Sequence, residues 1–286
     1  MKNSILSLSL VLISQLFFAQ NFRGRAIYES KTNMAGDVQM QGSGMSDAQI
    51  KMIEAQLKKA FEKTFVLDFD ATKSTYTEEQ KLAQAPTSGF QIRTLSSSSS
   101  GLLYKNIKAK ESVNAVEGMD GKNYLVTTQL PQYDWQISSE TKNIGIYKCI
   151  KATVIIKVTN QEKQEYAESI KKKNISSFIT YEEPKDRTIS AWFTMDIPVS
   201  TGPENYQGLP GLILEMNMDK TTLLCSKIIM NPKDATEIKR PSKGKTIDEK
   251  TYEKIMQKGM EQMMEQNEIN RDGKNGKMIQ SIRISR

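Results

Sequence analysis

Apolar positions recur along this chain with two different periods, and the changes of period mark its elements. From Ile50, apolar residues return at Ile53, Leu57 and Phe61, three or four apart, which makes one face of a helix. Ser46, with Gln49 three residues on, supplies that helix with a capping box. The period then drops to two. In Lys63 to Asp70, Phe65, Leu67 and Phe69 face one way, and Thr64, Val66, Asp68 and Asp70 the other, as in a half-buried strand. Lys73 to Glu79 is expected to pair back onto it through Ala71 and Thr72. Gly24 to Lys31, Ser112 to Val116 and Asn123 to Thr128 are further strand candidates. The last two flank Asp120-Gly121, a dipeptide that supplies the positive φ of a tight hairpin.

Ile144 to Val158 reads as one long strand, and Thr188 to Ile197 as another, with Ile189, Ala191, Phe193, Met195 and Ile197 on one face. Leu212 to Met216 and Thr221 to Met230 predict a hairpin. Asp248 to Asn267 restores the helical period, with Tyr252, Ile255, Met256, Met260, Met263 and Met264 in one stripe. Ala83 to Gly101, with serines at 96–100, reads as a polar loop. Asn160 to Arg187 is a charged excursion with partial helical character, and Ile279 to Ile284 carries a weak strand signal. Strands joined by short turns, with helices outside the strand runs, give an α+β class built on a mainly antiparallel, curved β-sheet with two amphipathic helices.

The start of the chain changes the picture of where this sheet works. Lys2 precedes an apolar run from Ile5 to Phe18 that ends at Ala19. The run is too short and too serine-rich for the roughly 20 apolar residues that span a bilayer. It reads as a cleavable signal peptide over residues 1–19. Residues 20–286 are then one domain with a charged insertion at 160–187. The expected location is exported, periplasmic or secreted, with no transmembrane segment in the mature chain. Two cysteines, Cys149 and Cys225, lie in strand candidates. In an oxidising compartment an even count makes them a candidate disulfide, with two buried thiols as the alternative.

The net charge of +7 is spread along the chain, and no basic stripe interleaved with aromatics points to nucleic acid. Histidine is absent altogether. That excludes Ser-His-Asp and Cys-His nucleophiles and the commonest general base. Carboxylate pairs remain, Asp68 with Asp70 and Glu182 with Glu183, but 33 acidic residues make such pairs inevitable. No catalytic residue, cofactor or metal site is assigned. The 15 methionines include Met34, Met40, Met45 and Met52 as well as Met256, Met260, Met263 and Met264. Thioethers pack cores, make adaptable partner surfaces, or bind Cu(I).

Gly208, Leu209, Pro210, Gly211, Leu212 and Ile213 spell GLPGLI within AWFTMDIPVSTGPENYQGLPGLILE, Ala191 to Glu215. This segment closely resembles the GLPGLI family of exported bacterial envelope proteins. Trp135, the KNIGIYKCIKAT block from Lys142 to Thr153 and the KRPSKGKTIDEKTYEKI stretch are also similar to that family. The resemblance implies export in Gram-negative bacteria and carries no catalytic residues with it. As a local structure, the hexapeptide predicts a type II turn: Pro210 sets φ at the first corner, Gly211 takes the positive φ, and Gly208 permits a close backbone approach. A phosphate loop would need a helix after it, and here an apolar strand follows. The function expected is a non-enzymatic binding or carrier protein for an apolar molecule or an envelope protein. The alternatives are a methionine-dependent copper(I) protein and a carboxylate-dependent hydrolase.

Overall fold

The computed structural model describes residues 22–32, 51, 62–79, 101–171, 183–234 and 236–272. Its centre is one 12-stranded sheet. In chain order the strands are β1 (Arg23–Thr32), β2 (Lys63–Asp70), β3 (Lys73–Glu78), β4 (Leu102–Asn106), β5 (Glu111–Glu117), β6 (Asn123–Gln129), β7 (Gln136–Ile144), β8 (Tyr147–Ile156), β9 (Arg187–Thr194), β10 (Leu212–Met218), β11 (Thr221–Met230) and β12 (Lys245–Ile247). They lie in the order β12-β6-β5-β4-β3-β2-β1-β11-β10-β9-β8-β7, an open sheet with β12 and β7 at its edges. Every pairing is antiparallel except that of β12 with β6. Among the described residues two helices are delimited, α1 (Asn160–Lys171) and α2 (Glu249–Asp272).

The alternating segments fold as their pattern dictates. In β2, Leu67 and Phe69 are buried, and Asp70 ends the strand by accepting hydrogen bonds from the Thr72 and Lys73 amides at 2.7 Å. The Asp120-Gly121 turn joins β5 to β6, with Gly121 at φ +74°. Strands β1 and β11 meet across most of the chain: Tyr28 of β1 lies opposite Cys225 of β11. Ala26, Tyr28, Leu67, Phe69, Cys149, Leu212, Leu214 and Cys225 share one buried cluster. A second cluster joins Ala152, Ala191, Phe193, Leu209, Ile213, Met216 and Leu223.

Several expectations are corrected. Ile144 to Val158 is not one strand: β7 ends at Ile144, the chain turns at Gly145 with φ +58°, and β8 returns antiparallel, placing Ile144 opposite Tyr147. Apolar residues on both sides of Gly145 hide this turn in the pattern. Strand β9 stops at Thr194, so Met195 is exposed while Ile197 is buried within a loop. Strands β4 and β12, and β7 up to Ile144, went unread. The charged excursion does begin with a helix, α1, whose Thr159 and Glu162 form a reciprocal cap: the Thr159 amide donates to Glu162 at 2.7 Å and the Glu162 amide to Thr159 at 3.1 Å.

Helix α2 lies where the second helix was expected, and the N-terminal part of its stripe is described. Tyr252 and Ile255 pack on Val116, Tyr124 and Val126. The helix from Ser46, the polar loop before Gly101, Met34, Met40, Met45 and Met52, and the tail strand lie outside the described residues, apart from Lys51, which is helical.

Candidate functional site

The 17 residues between β9 and β10 (195–211) carry the GLPGLI hexapeptide and meet β3 and β4 through Ser74 and Lys105. Their local fold is dictated by backbone groups that need partners. The Leu212 amide donates to the Ile197 carbonyl at 2.9 Å and the Ile213 amide to the Thr201 carbonyl at 3.1 Å. An isolated bridge pairs Thr201 with Gln207. A bulge at Leu214 shifts β10 against β9, and the Ile213 carbonyl beside it accepts from the buried Tyr28 hydroxyl at 2.7 Å.

The two glycines of the hexapeptide exchange the roles expected of them. Gly208, not Gly211, has the positive φ, at +98°. Gly211 instead passes against β9, where a Cβ would run into the Thr194 carbonyl oxygen. The expected type II turn at Pro210-Gly211 is therefore absent. The constraint on Gly211 is contact with a neighbouring strand, which no local rule contains. Leu209, Leu212 and Ile213 are buried, and Gly208 and Pro210 are exposed.

Four side chains pin the loop to the sheet. Lys105 of β4 is fully buried, and its Nζ donates to the Gly202 carbonyl at 2.6 Å and lies 3.4 Å from the Tyr206 carbonyl. Burial lowers its pKa to about 7, with Glu204 partly opposing the shift. Ser74 of β3 and Thr201 share a buried hydrogen bond at 3.0 Å. Gln207 Nε2 donates to the Pro131 carbonyl at 2.7 Å, and Trp135 Nε1 donates to the Gln207 carbonyl at 2.9 Å. The last two bonds tie this loop to residues 130–135, which lead from β6 to β7.

Where the two loops meet, three half-buried rings form a contiguous platform. Tyr133 stacks on Tyr206 with centroids 5.1 Å apart, Trp135 lies 5.7 Å from Tyr133 and 6.4 Å from Tyr206. Burial raises the pKa of Tyr133. Two strained features sit beside the rings. Glu204 holds φ +49°, unusual for a residue with a side chain. Asn205 Oδ1 is buried and accepts no hydrogen bond. Strained backbone and an orphaned acceptor cost roughly 1–3 kcal/mol each and concentrate at functional sites.

The other sequence candidates are placed elsewhere. Cys149 and Cys225 are buried free thiols on β8 and β11, with β9 and β10 between them in the sheet. Burial raises their pKa values to about 11 and about 12. Asp68 is engaged by Arg25 at 2.7 Å and Asp70 by the β2–β3 turn. Glu183 is exposed, and Glu182 lies outside the described residues. Met256 is half-buried on α2, and the side chains of Met260, Met263 and Met264 lie outside the described residues. Among the described residues no group of three or more His, Cys, Asp or Glu could hold a metal ion. No described helix is long and apolar enough to cross a membrane. Sequence reasoning missed Lys105, Tyr133 and Tyr206. A lysine facing inward carries no periodic signal, and the rings come from loops.

Residues 135–215, from Trp135 of the platform through the hexapeptide, match the model of a family described as a protein of unknown function (Porph_ging). No curated protein matches the chain. Solved structures of PNGF-II in C2 and P21 space groups are similar to it at 14% identity and a TM-score of 0.49. The similarity covers 83% of this chain and 33% and 34% of those chains, so this chain spans about a third of their length.

Proposed function

We propose that the chain is an exported, non-enzymatic binding protein that recognises an envelope component at the Tyr133–Trp135–Tyr206 platform. The observation that carries this reading is the platform itself: three half-buried rings from two loops, one loop held by the buried Lys105 and the two tied together by part-buried hydrogen bonds. Tyrosine and tryptophan give large contact area at low entropic cost, and a pinned loop has little ordering left to lose on binding. The crevice between Arg23, Gly24, Phe69 and Ile238 has about 10 Å³ of room, enough for one water and not for an acyl chain.

We also infer that the sheet curls. Residues 130–135 link β6 to β7, and seven residue steps reach roughly 25 Å at most. A flat sheet in the observed order would separate these strands by ten spacings, about 48 Å. Curling brings the two loops of the platform to one place.

The test is sedimentation of the mature chain with isolated envelopes of the producing bacterium. Tyr206→Ala and Trp135→Ala should lose most of the retention at unchanged fold, read by circular dichroism. Retention equal to the parent's in both variants would sink the reading.

A further inference from the structure

We propose that residues 202–206 form a flap that lifts when Lys105, which holds both of its legs, takes up a proton; this stands whatever the platform binds. The geometry of the hinge comes first. The bridge between Thr201 and Gln207 closes the chain on itself, and within it the Tyr206 amide donates to the Pro203 carbonyl at 3.1 Å. Both hinge residues are tied down. Thr201 shares a buried hydrogen bond with Ser74 of β3. Gln207 is bonded through its side chain to the Pro131 carbonyl and through its own carbonyl to Trp135. Lys105 reaches the flap itself. Its Nζ donates to the Gly202 carbonyl on one leg at 2.6 Å and lies 3.4 Å from the Tyr206 carbonyl on the other.

The surroundings of that amine favour its neutral form. It is fully buried, and its neighbours across the ladder are Ser74 of β3 and Ser112 of β5, both buried and uncharged. The carboxylate that acts on it is Glu204, in the flap, which partly opposes the effect of burial. Tyr133, beside the flap, is raised by burial and keeps its proton through the neutral range. Once the flap lifts, the amine meets water and regains the proton affinity of an ordinary lysine. Opening therefore takes up a proton between about 7 and 10.5. The open population grows as pH falls through that range, by up to about tenfold per unit, and is level below it. Two features of the flap favour opening. Glu204 gives up its φ of +49°, and Asn205 Oδ1, buried without a partner, regains water. Tyr206 rides on the flap, so its stack on Tyr133 is coupled to the same proton.

The test is amide hydrogen exchange in the full mature chain, at half-unit steps from pH 5.5 to 8.5, with each rate corrected for the intrinsic pH dependence of exchange. The chain has two tryptophans, so Trp192→Phe leaves Trp135 as the sole indole, and its emission checks at each pH that the region stays folded. Peptides covering 201–207 should show an open population that is level below about pH 6.5 and falls about tenfold from pH 7.5 to 8.5. Strand β2 should exchange through much rarer openings. Lys105→Met should remove the pH dependence of the flap. Glu204→Gln keeps the buried amine and removes the charge that supports its proton, so the fall should begin at lower pH. Equal open populations in 201–207 and β2 at every pH would make the opening global and overturn the flap. A parent without the fall, a fall that persists in Lys105→Met, or an onset unmoved in Glu204→Gln would overturn Lys105 as its latch.

Discussion

Replacing Lys105 by Met should flatten the rise of stability with pH. The lysine is fully buried and its Nζ meets two main-chain carbonyls of the loop, with no carboxylate in hydrogen-bonding contact. Its pKa falls from 10.5 to about 7 in the folded protein. Between those values the unfolded chain binds the proton and the folded chain does not, so stability rises with pH. At 1.36 kcal/mol per pH unit the full span is about 5 kcal/mol, of which about 3 falls between pH 7 and 9.5. Below pH 7 both states are protonated and the contribution is level. Lys105→Met removes the titration. It also takes the Lys105 donor from the Gly202 carbonyl, at a cost of roughly 1–3 kcal/mol that does not depend on pH. The assay is urea unfolding of both proteins at half-unit steps from pH 6.5 to 9.5, which stays below the titration of the buried tyrosines. The parent should gain about 3 kcal/mol over the variant across that range. Parallel profiles would refute the assignment, and would mean that Lys105 keeps its proton or reaches water.

Gly211→Ala should destabilise severely, because its Cβ meets the Thr194 carbonyl of a packed strand, whereas Gly208→Ala should cost only about 1 kcal/mol of left-handed strain; equal losses in chemical denaturation would refute that division of roles. Leu209→Ala, at a site 1% exposed, should cost about 2–5 kcal/mol by the same measurement, and a loss under 1 would show that the hexapeptide is not part of the core. Both thiols should resist iodoacetamide in the native protein at pH 8 and react once unfolded without reductant, since burial holds Cys149 near 11 and Cys225 near 12. A protein that needs reductant for labelling would instead carry a disulfide.

Local chemistry made much of the sheet legible. Strand β2 and its return through Asp70 follow from strict alternation and a short polar turn, and Asp120-Gly121 announces its hairpin. Features set by distant contacts were not legible. Nothing near Tyr28 says that it pairs with Cys225, and three residues at Lys245–Ile247 are too few for any period to form. The hexapeptide was visible as a motif, yet its glycines took each other's roles, because Gly211 is shaped by a neighbouring strand rather than by the turn itself. The platform was harder still. Trp135 and Gln207 are 72 residues apart, and the bond that joins them exists only after the sheet has brought two loops together. Lys105 lies in an apolar strand where charge has no pattern to obey.

The central claim is that the aromatic platform touches the partner. The measurement that meets it most directly is Trp135 emission in the Trp192→Phe chain, recorded as isolated envelopes of the producing bacterium are added. The account predicts a saturable spectral shift that tracks the fraction of protein retained and disappears with Tyr206→Ala. Full retention with an unchanged Trp135 spectrum would contradict it, and would place recognition on another surface of the molecule.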